Sequence, residues 1–387
     1  MNPRSVKNRV NPWWRLLYFG CAAITLRFFA PWWCARDADS WFRGDADRQM
    51  LLANNLVAFE NGDDRDREGS KDNVFEGRWA LIAHQMTALG LAQVVLSHPE
   101  LKDKYLPVIT RAALKSFLPE MRRFGTEAWN GEDAMKSIDG THGHAYLAYP
   151  ALALGMARLL DPTFPKDVAK RHDALIASFE RRLLASDTGL VETYPNEAFP
   201  TDVAAIAAAI AVHGRATGAH HERVLAHWAD KVRTKQIDPV TGLVYQHMGA
   251  RDGKPHDAPR GSGTGLAAYF AGFADRSIAK LLADGLFRYP ETFCEFEGIQ
   301  EYSDGHSGLG DDDSGPVLLG VTVAATGFAL APARAFGRRI EFTRLYRTTE
   351  LFGVPFTSGP RQSFLMGGPI GNALLLAFLT SGPELSP

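Results

Sequence analysis

Glu192 and Asp202 are the two residues of this chain best placed for proton-transfer chemistry. Glu192 follows the stretch "DTGLV" (Asp187–Val191), and Asp202 follows Phe199, Pro200 and Thr201 at the start of an apolar run. A carboxylate near a helix N-terminus meets unpaired N–H groups and the positive end of the helix dipole, which keep it ionised unless burial opposes them. Two carboxyls in unlike surroundings can divide the work, one as base and one as protonated acid. Transfers of this kind each contribute roughly 10² to 10⁴ in rate. His144 is the candidate proton carrier beside them, and Tyr245 can donate a hydrogen bond or orient a substrate. Each has a plainer reading. Asp202 after Pro200-Thr201 also has the form of a helix N-cap, and Glu192 that of a surface loop residue. His144 also fits a satisfied core histidine, and Tyr245 a partly buried structural tyrosine.

Substrate contacts are expected from Glu76, Trp79, Asp139, Tyr146, Phe199, Asp311 and Asp313. The run Asp311–Asp313 precedes Ser314-Gly315-Pro316, and a proline suits the first turn of a helix, so one of the three acids is expected to cap it. The run lacks the alternating acids and trailing glutamate of a calcium loop. His142 and His144 are read as opening a helix, where residues two apart diverge by about 200° and cannot share a metal. There is no CxxC, HExxH or Walker loop, and activity is expected to need no metal or organic cofactor. GSGTG (Gly261–Gly265) is read as a loop-to-helix junction, because no strand pattern precedes it.

These residues need a scaffold, and helical periodicity supplies one. Glu76–Leu96, His142–Leu160, Asp202–Arg215, Ser262–Ala274, Gly315–Phe336 and Gly367–Thr380 are apolar on every face, as buried helices are. Amphipathic segments alternate with them: Gln49–Asn61, Leu101–Arg122, Pro165–Leu184, Ala219–Lys235, Arg276–Phe287 and Arg338–Glu350. A regular recurrence of helical hairpins marks a repeat architecture. The pattern predicts an all-α (α/α)6 barrel, with six inner and six outer helices and short strands at the rim. All inner-helix N-termini would meet at that rim. The tetrapeptide TGLV occurs at Thr188–Val191 and again at Thr241–Val244. The two copies are read as equivalent scaffold, after which Glu192 and Tyr245 take different tasks.

Two domains are expected, an N-terminal segment (residues 1–40) and the barrel (41–387). Net charge is −2 with no basic block beyond the N-terminus, which leaves no nucleic-acid footprint. Cys21, Cys34 and Cys294 are too few for a disulfide framework. Near the N-terminus, basic residues precede the apolar run "LLYFGCAAITL", which is shorter than the roughly 20 residues a bilayer requires. Trp13, Trp14, Trp32 and Trp33 flank it as interfacial aromatics would. Membrane association is expected, with the barrel on the extracytoplasmic side.

The order of "VFEGRW", "GHAYLAY", "TGLVETYPNEAFPTD", "IDPVTGLVYQH" and "GLGDDDSG" resembles linalool dehydratase/isomerase, a cofactor-free enzyme on an (α/α)6 fold. The resemblance implies a lyase or isomerase acting on a small terpenoid alcohol or alkene. It places the family's histidine on His144, its two cysteines on Glu192 and on Asp202 or Thr201, and a tyrosine near Tyr245. The family's acid–tyrosine–cysteine cluster before the first inner helix has no clear counterpart, Glu60 or Glu76 being the nearest acid. With both cysteines replaced, thiol chemistry does not carry over. A glycosidase or glycan lyase is the alternative, because paired carboxylates serve that chemistry too. A non-catalytic binding protein is the third reading. The partner expected is a small-molecule substrate, and the fold allows a homo-oligomer.

Overall fold

The computed structural model describes residues 12–62, 73–136, 138–140, 143–303 and 305–382. An N-terminal arm comprises α1 (Pro12–Ile24), a π-helical stretch, α2 (Ala30–Cys34) and α3 (Ala38–Arg43). The hairpins follow in order: outer α4 (Ala46–Glu60) with inner α5 (Asn73–Ser97), then outer α6 (Lys102–Lys115), the short α7 (Arg123–Ala128) and inner α8 (Ala148–Leu160). Outer α9 (Lys166–Ala185) precedes inner α10 (Pro200–Thr217), and outer α11 (Glu222–Lys231) precedes inner α12 (Gly261–Ala274). Outer α13 (Arg276–Leu286) leads through the hairpin of β3 (Pro290–Phe293) and β4 (Phe296–Ile299) to the divided inner pair α14 (Val323–Phe328) and α15 (Leu330–Ala335). Outer α16 (Arg339–Gly353) and inner α17 (Gly368–Leu379) complete the set. Contacts run α5–α8–α10–α12–α14, then α15–α17 and α17–α5, so the inner ring closes on itself. This is the (α/α)6 barrel.

Burial follows the composition of the segments. Val203–His213 of α10 is buried on every face, as a helix enclosed by neighbours must be. The glycines of GSGTG are where helices approach closely. A Cβ at Gly261 would collide with the Gln300 carbonyl, and one at Gly265 would come within 3.0 Å of Phe328 Cβ. The stretch is therefore the first turn of α12 rather than a loop, and packing explains its glycines.

Two expected helices differ. Gly315–Phe336 does not form one helix: β5 (Gly310–Asp311) and β6 (Gly315–Pro316) make a hairpin, and α14 starts only at Val323 behind the Thr322 cap. Pro332 then divides the remainder. Its ring conflicts with the carbonyl four residues back, and α14 ends there, at Phe328. The second inner helix also starts late. Gly143 and His144 take positive φ of 86° and 63°, and a 3-10 turn at Ala145–Leu147 leads into α8. His144 is therefore not helical, and the expected divergence of His142 and His144 along one helix does not arise; His142 lies outside the described residues.

The two TGLV copies are structurally equivalent. Gly189 and Gly242 both have positive φ, 67° and 76°. In each copy the threonine hydroxyl accepts from the leucine N–H two residues on, at 3.3 Å for Leu190 and 3.2 Å for Leu243. Leu190, Val191, Leu243 and Val244 are all buried. The short strands β1 (Glu197–Ala198) and β2 (Met248–Gly249) pair antiparallel and bind the two following loops together.

Candidate active site

The N-terminal ends of α5, α8 and α10, with the β5–β6 turn, converge on one polar cluster. Asp202 lies in the first turn of α10 and is buried. Its Oδ1 accepts from the Tyr149 hydroxyl at 2.5 Å, and its Oδ2 from the Thr193 hydroxyl at 2.6 Å. Phe199 occupies the N-cap without a side-chain cap, so Asp202 is free of the capping task. Burial raises the Asp202 pKa; Arg78 and the bonds from Thr193 and Tyr149 oppose it without cancelling it. Arg78 Nη1 stands 3.0 Å from Asp313 Oδ2. Burial acts to lower the Arg78 pKa, but Asp313, Tyr194 and Asp202 outweigh it and keep the guanidinium charged. The Tyr149 hydroxyl is pushed well up by burial and by Asp202. The cluster therefore contains one buried carboxyl that resists ionisation and one salt-bridged, partly exposed carboxylate, on either side of a charged guanidinium.

Aromatic surfaces border it. Tyr194 meets Phe199 edge-on at 6.2 Å, and Phe199 stacks on His247 at 5.2 Å with 17° between planes. All three are half-buried. Phe270 lies deeper, fully buried against Tyr149 at 5.6 Å.

His144 and Glu192 lie next to this cluster but not within it. The backbone draws them together, since Ala145 N–H donates to the Glu192 carbonyl at 2.9 Å. Glu192 and Thr193 are consecutive, but their side chains reach different neighbours. Thr193 turns to Asp202, while Glu192 lines a cleft of about 270 Å³ shared with Arg182 and Arg251, which Asp202 does not line. Arg251 Nε is 4.0 Å from the Glu192 carboxylate. Glu192 and Asp202, read as an acid–base pair, are thus not brought together. His144 is buried beside Trp129 (4.7 Å) and Tyr146 (5.9 Å), with Nε2 3.7 Å from Glu132 Oε1, beyond hydrogen-bond reach. Burial and Arg182 lower its pKa to about 4.

The other expected residues divide. The Tyr245 hydroxyl donates to Asp238 Oδ1 at 3.1 Å, within its own turn, so it braces the scaffold. Asp139 is almost fully exposed, 3.8 Å from Arg181, and does not reach the cluster. Asp311 pairs with Arg260 and accepts from the N–H groups of Asp313 and Ser314, so it shapes the β5–β6 turn instead of capping a helix. Tyr146 is buried against Phe124. Trp79 is half-buried on α5. The side chain of Glu76 lies outside the described residues. Glu60 is buried with His84 and Lys115, an ion cluster between α4, α5 and α6. Sequence reasoning misses Arg78, Tyr149, Thr193 and Tyr194; the one available signal is an arginine in an otherwise apolar inner helix.

No family model matches the chain. No curated protein matches it either. Among solved structures it is similar to an inactive variant of an alpha-1,6-mannanase from Salegentibacter sp. HEL1_6 in complex with alpha-1,6-mannotriose. The two share 15% identity over 89% of this chain and 99% of that one, with a TM-score of 0.48. The resemblance to linalool dehydratase/isomerase is corrected accordingly: no family model and no curated protein supports it, and the solved structure named above is a mannanase. The lyase or isomerase activity on a terpenoid falls with it. The site agrees, because it is polar: a charged Arg78 bridged to Asp313 stands beside the buried carboxyl of Asp202.

Proposed function

We propose that this chain is a glycoside hydrolase in which Asp202 is the general acid and Asp313 the partner carboxylate that acts as base or nucleophile. The observation that carries the reading is the contrast between the two groups: Asp202 is buried with a raised pKa, while Asp313 is partly exposed and bridged to Arg78 at 3.0 Å. Glycosidic cleavage requires this division, a carboxylic acid to protonate the leaving oxygen and a carboxylate opposite it. The half-exposed rings of Tyr194, Phe199 and His247 offer flat surfaces for the C–H faces of sugars. The test is release of reducing ends from a panel of alpha- and beta-linked oligosaccharides, followed by anomer analysis of any product by NMR. Turnover by the wild type and its loss in both Asp202→Asn and Asp313→Asn is the expected result. A wild-type protein silent on the whole panel would overturn the reading.

We also infer that the arm attaches the enzyme to a membrane. Residues Trp13–Arg43 form a helical stretch long and apolar enough, by length and composition, to cross one, and its most apolar window is 6% buried. Trp13, Trp14, Trp32 and Trp33 are exposed along it. Recovery of the full chain in the carbonate-washed membrane fraction, and of a chain lacking residues 1–34 in the soluble fraction, is the expected result; a full chain washed off by carbonate would count against it.

A further inference from the structure

Away from these carboxylates, four side chains form a row of polar contacts with an acid at each end. Asp173 Oδ1 lies 2.9 Å from His213 Nε2, His213 Nδ1 lies 2.9 Å from His221 Nε2, and His221 Nδ1 lies 2.7 Å from Glu180 Oε1. Each of the three gaps needs a positive centre, because ionised carboxylates and imidazole lone pairs are all acceptors. Two neutral imidazoles supply only two N–H groups. One gap is left over.

His172 shows which gap it is. Its ring is fully buried and meets His213 edge-on at 5.3 Å; at most one ring nitrogen reaches a hydrogen bond, to the Ala151 backbone, so the other has no partner. Buried polar groups left in that state are rare and call for an explanation. One donor atom from each of His172, Asp173 and His213 lies within 4.8 Å of the others.

We propose that His172, Asp173 and His213 bind a divalent transition-metal ion, zinc being the first candidate. With the ion between Asp173 and His213 Nε2, the proton count closes. His213 then donates from Nδ1 to His221, and His221 donates from Nδ1 to Glu180, the outer-sphere support that metal-binding histidines need. Imidazole and carboxylate suit zinc, whose bonds of about 2.0–2.1 Å place tetrahedral ligands roughly 3.3 Å apart. The Asp173–His213 separation of 2.9 Å is close to that, and the widest pair must close by about 1.5 Å. Arg158 also donates to Asp173 and holds its carboxylate in place. His213 is eleven residues beyond Asp202 on α10, about 16 Å along the axis, so the ion would clip outer α9 to inner α10 and take no part in cleavage.

The test uses full-length protein stripped with EDTA and re-equilibrated with zinc chloride. About one zinc per chain by elemental analysis and a higher Tm with zinc are the expected results. Asp173→Asn, at a half-exposed position that folding tolerates, and His172→Phe, which keeps the packing, should each weaken zinc binding at least tenfold. Cobalt(II) should give the visible bands of a four-coordinate ion in the wild type and not in either variant. A wild type that takes up no zinc, or variants that bind it unchanged, overturns the proposal. So does NMR evidence that His213 and His221 hold one extra proton between them in zinc-saturated buffer, since the leftover gap is then filled without a metal.

Discussion

Replacing Asp202 with asparagine isolates the proton on which the proposed chemistry depends. Both oxygens of Asp202 accept from buried hydroxyls, at 2.5 Å from Tyr149 and 2.6 Å from Thr193. Burial raises its pKa against the pull of Arg78 and those two bonds. A carboxyl whose folded pKa exceeds its unfolded value of about 3.9 contributes stability that is fully present below that pH. The contribution is lost as pH rises through the folded pKa, at about 1.4 kcal/mol for each pH unit that separates the folded and unfolded values. Asparagine has no such titration. The amide's NH₂ meets one of the two hydroxyls, which must turn and accept, a pH-independent loss of about 0.5–1.5 kcal/mol. The difference in unfolding free energy between variant and wild type should therefore move in the variant's favour as pH rises from about 3.9, the unfolded value, through the raised folded pKa. Urea unfolding at half-unit pH steps measures this, and all other titrating groups cancel in the difference. A difference that is flat, or that moves against the variant as pH rises, refutes the reasoning: the carboxyl would then be held ionised and could not act as the acid. On an oligosaccharide substrate the same variant should lose roughly 10² to 10⁴ in turnover, about 2.7–5.5 kcal/mol of barrier.

Arg78→Gln removes the cation that lowers the Asp202 pKa, so the high-pH limb of the pH–rate profile should move to higher pH while kcat falls. Tyr245→Phe should leave turnover within about threefold and lower stability by about 0.5–1.5 kcal/mol in chemical denaturation, because its hydroxyl serves only the Asp238 turn. Glu192→Gln should likewise leave turnover within about threefold in the same assay, since its carboxylate lines the Arg182–Arg251 cleft. Gly261→Ala should lower stability by about 1–3 kcal/mol by the same unfolding measurement, because its Cβ meets the Gln300 carbonyl, a backbone atom with little room to yield.

The barrel could be read from the sequence because its inner and outer helices differ in composition. An inner helix such as α10, buried on all faces, must be apolar all round, while outer α9 keeps a charged face for water. The TGLV equivalence was also legible, since the same tetrapeptide makes the same turn in both copies, its glycine taking the positive φ and its threonine hydroxyl the leucine N–H. Helix starts were harder. Pro316 in a helical pattern looked like a first-turn proline, but Gly315 and Gly320, at φ of 73° and 86°, belong to turns and delay α14 to Val323. Gly143 and His144 delay α8 in the same way.

The site itself turned on facts finer than residue type. Glu192 and Thr193 belong to one short loop, and sequence favours the glutamate because it can titrate. Within such a loop, a shift of one residue decides which side chain reaches the carboxyl at the helix start and which faces the outer cleft. Thr193 reaches it, at 2.6 Å from Asp202. Arg78 was hidden differently. On an inner helix a lone arginine reads as an interruption in an apolar pattern, and its meaning depends on Asp313, more than two hundred residues away. Long-range pairing of this kind leaves no periodic trace. It does leave a physical one: a guanidinium this enclosed must be matched by nearby negative charge, or its desolvation would go uncompensated. Asp313 supplies that charge beside the carboxyl of Asp202, whose pKa burial still raises against Arg78 and the bonds from two hydroxyls.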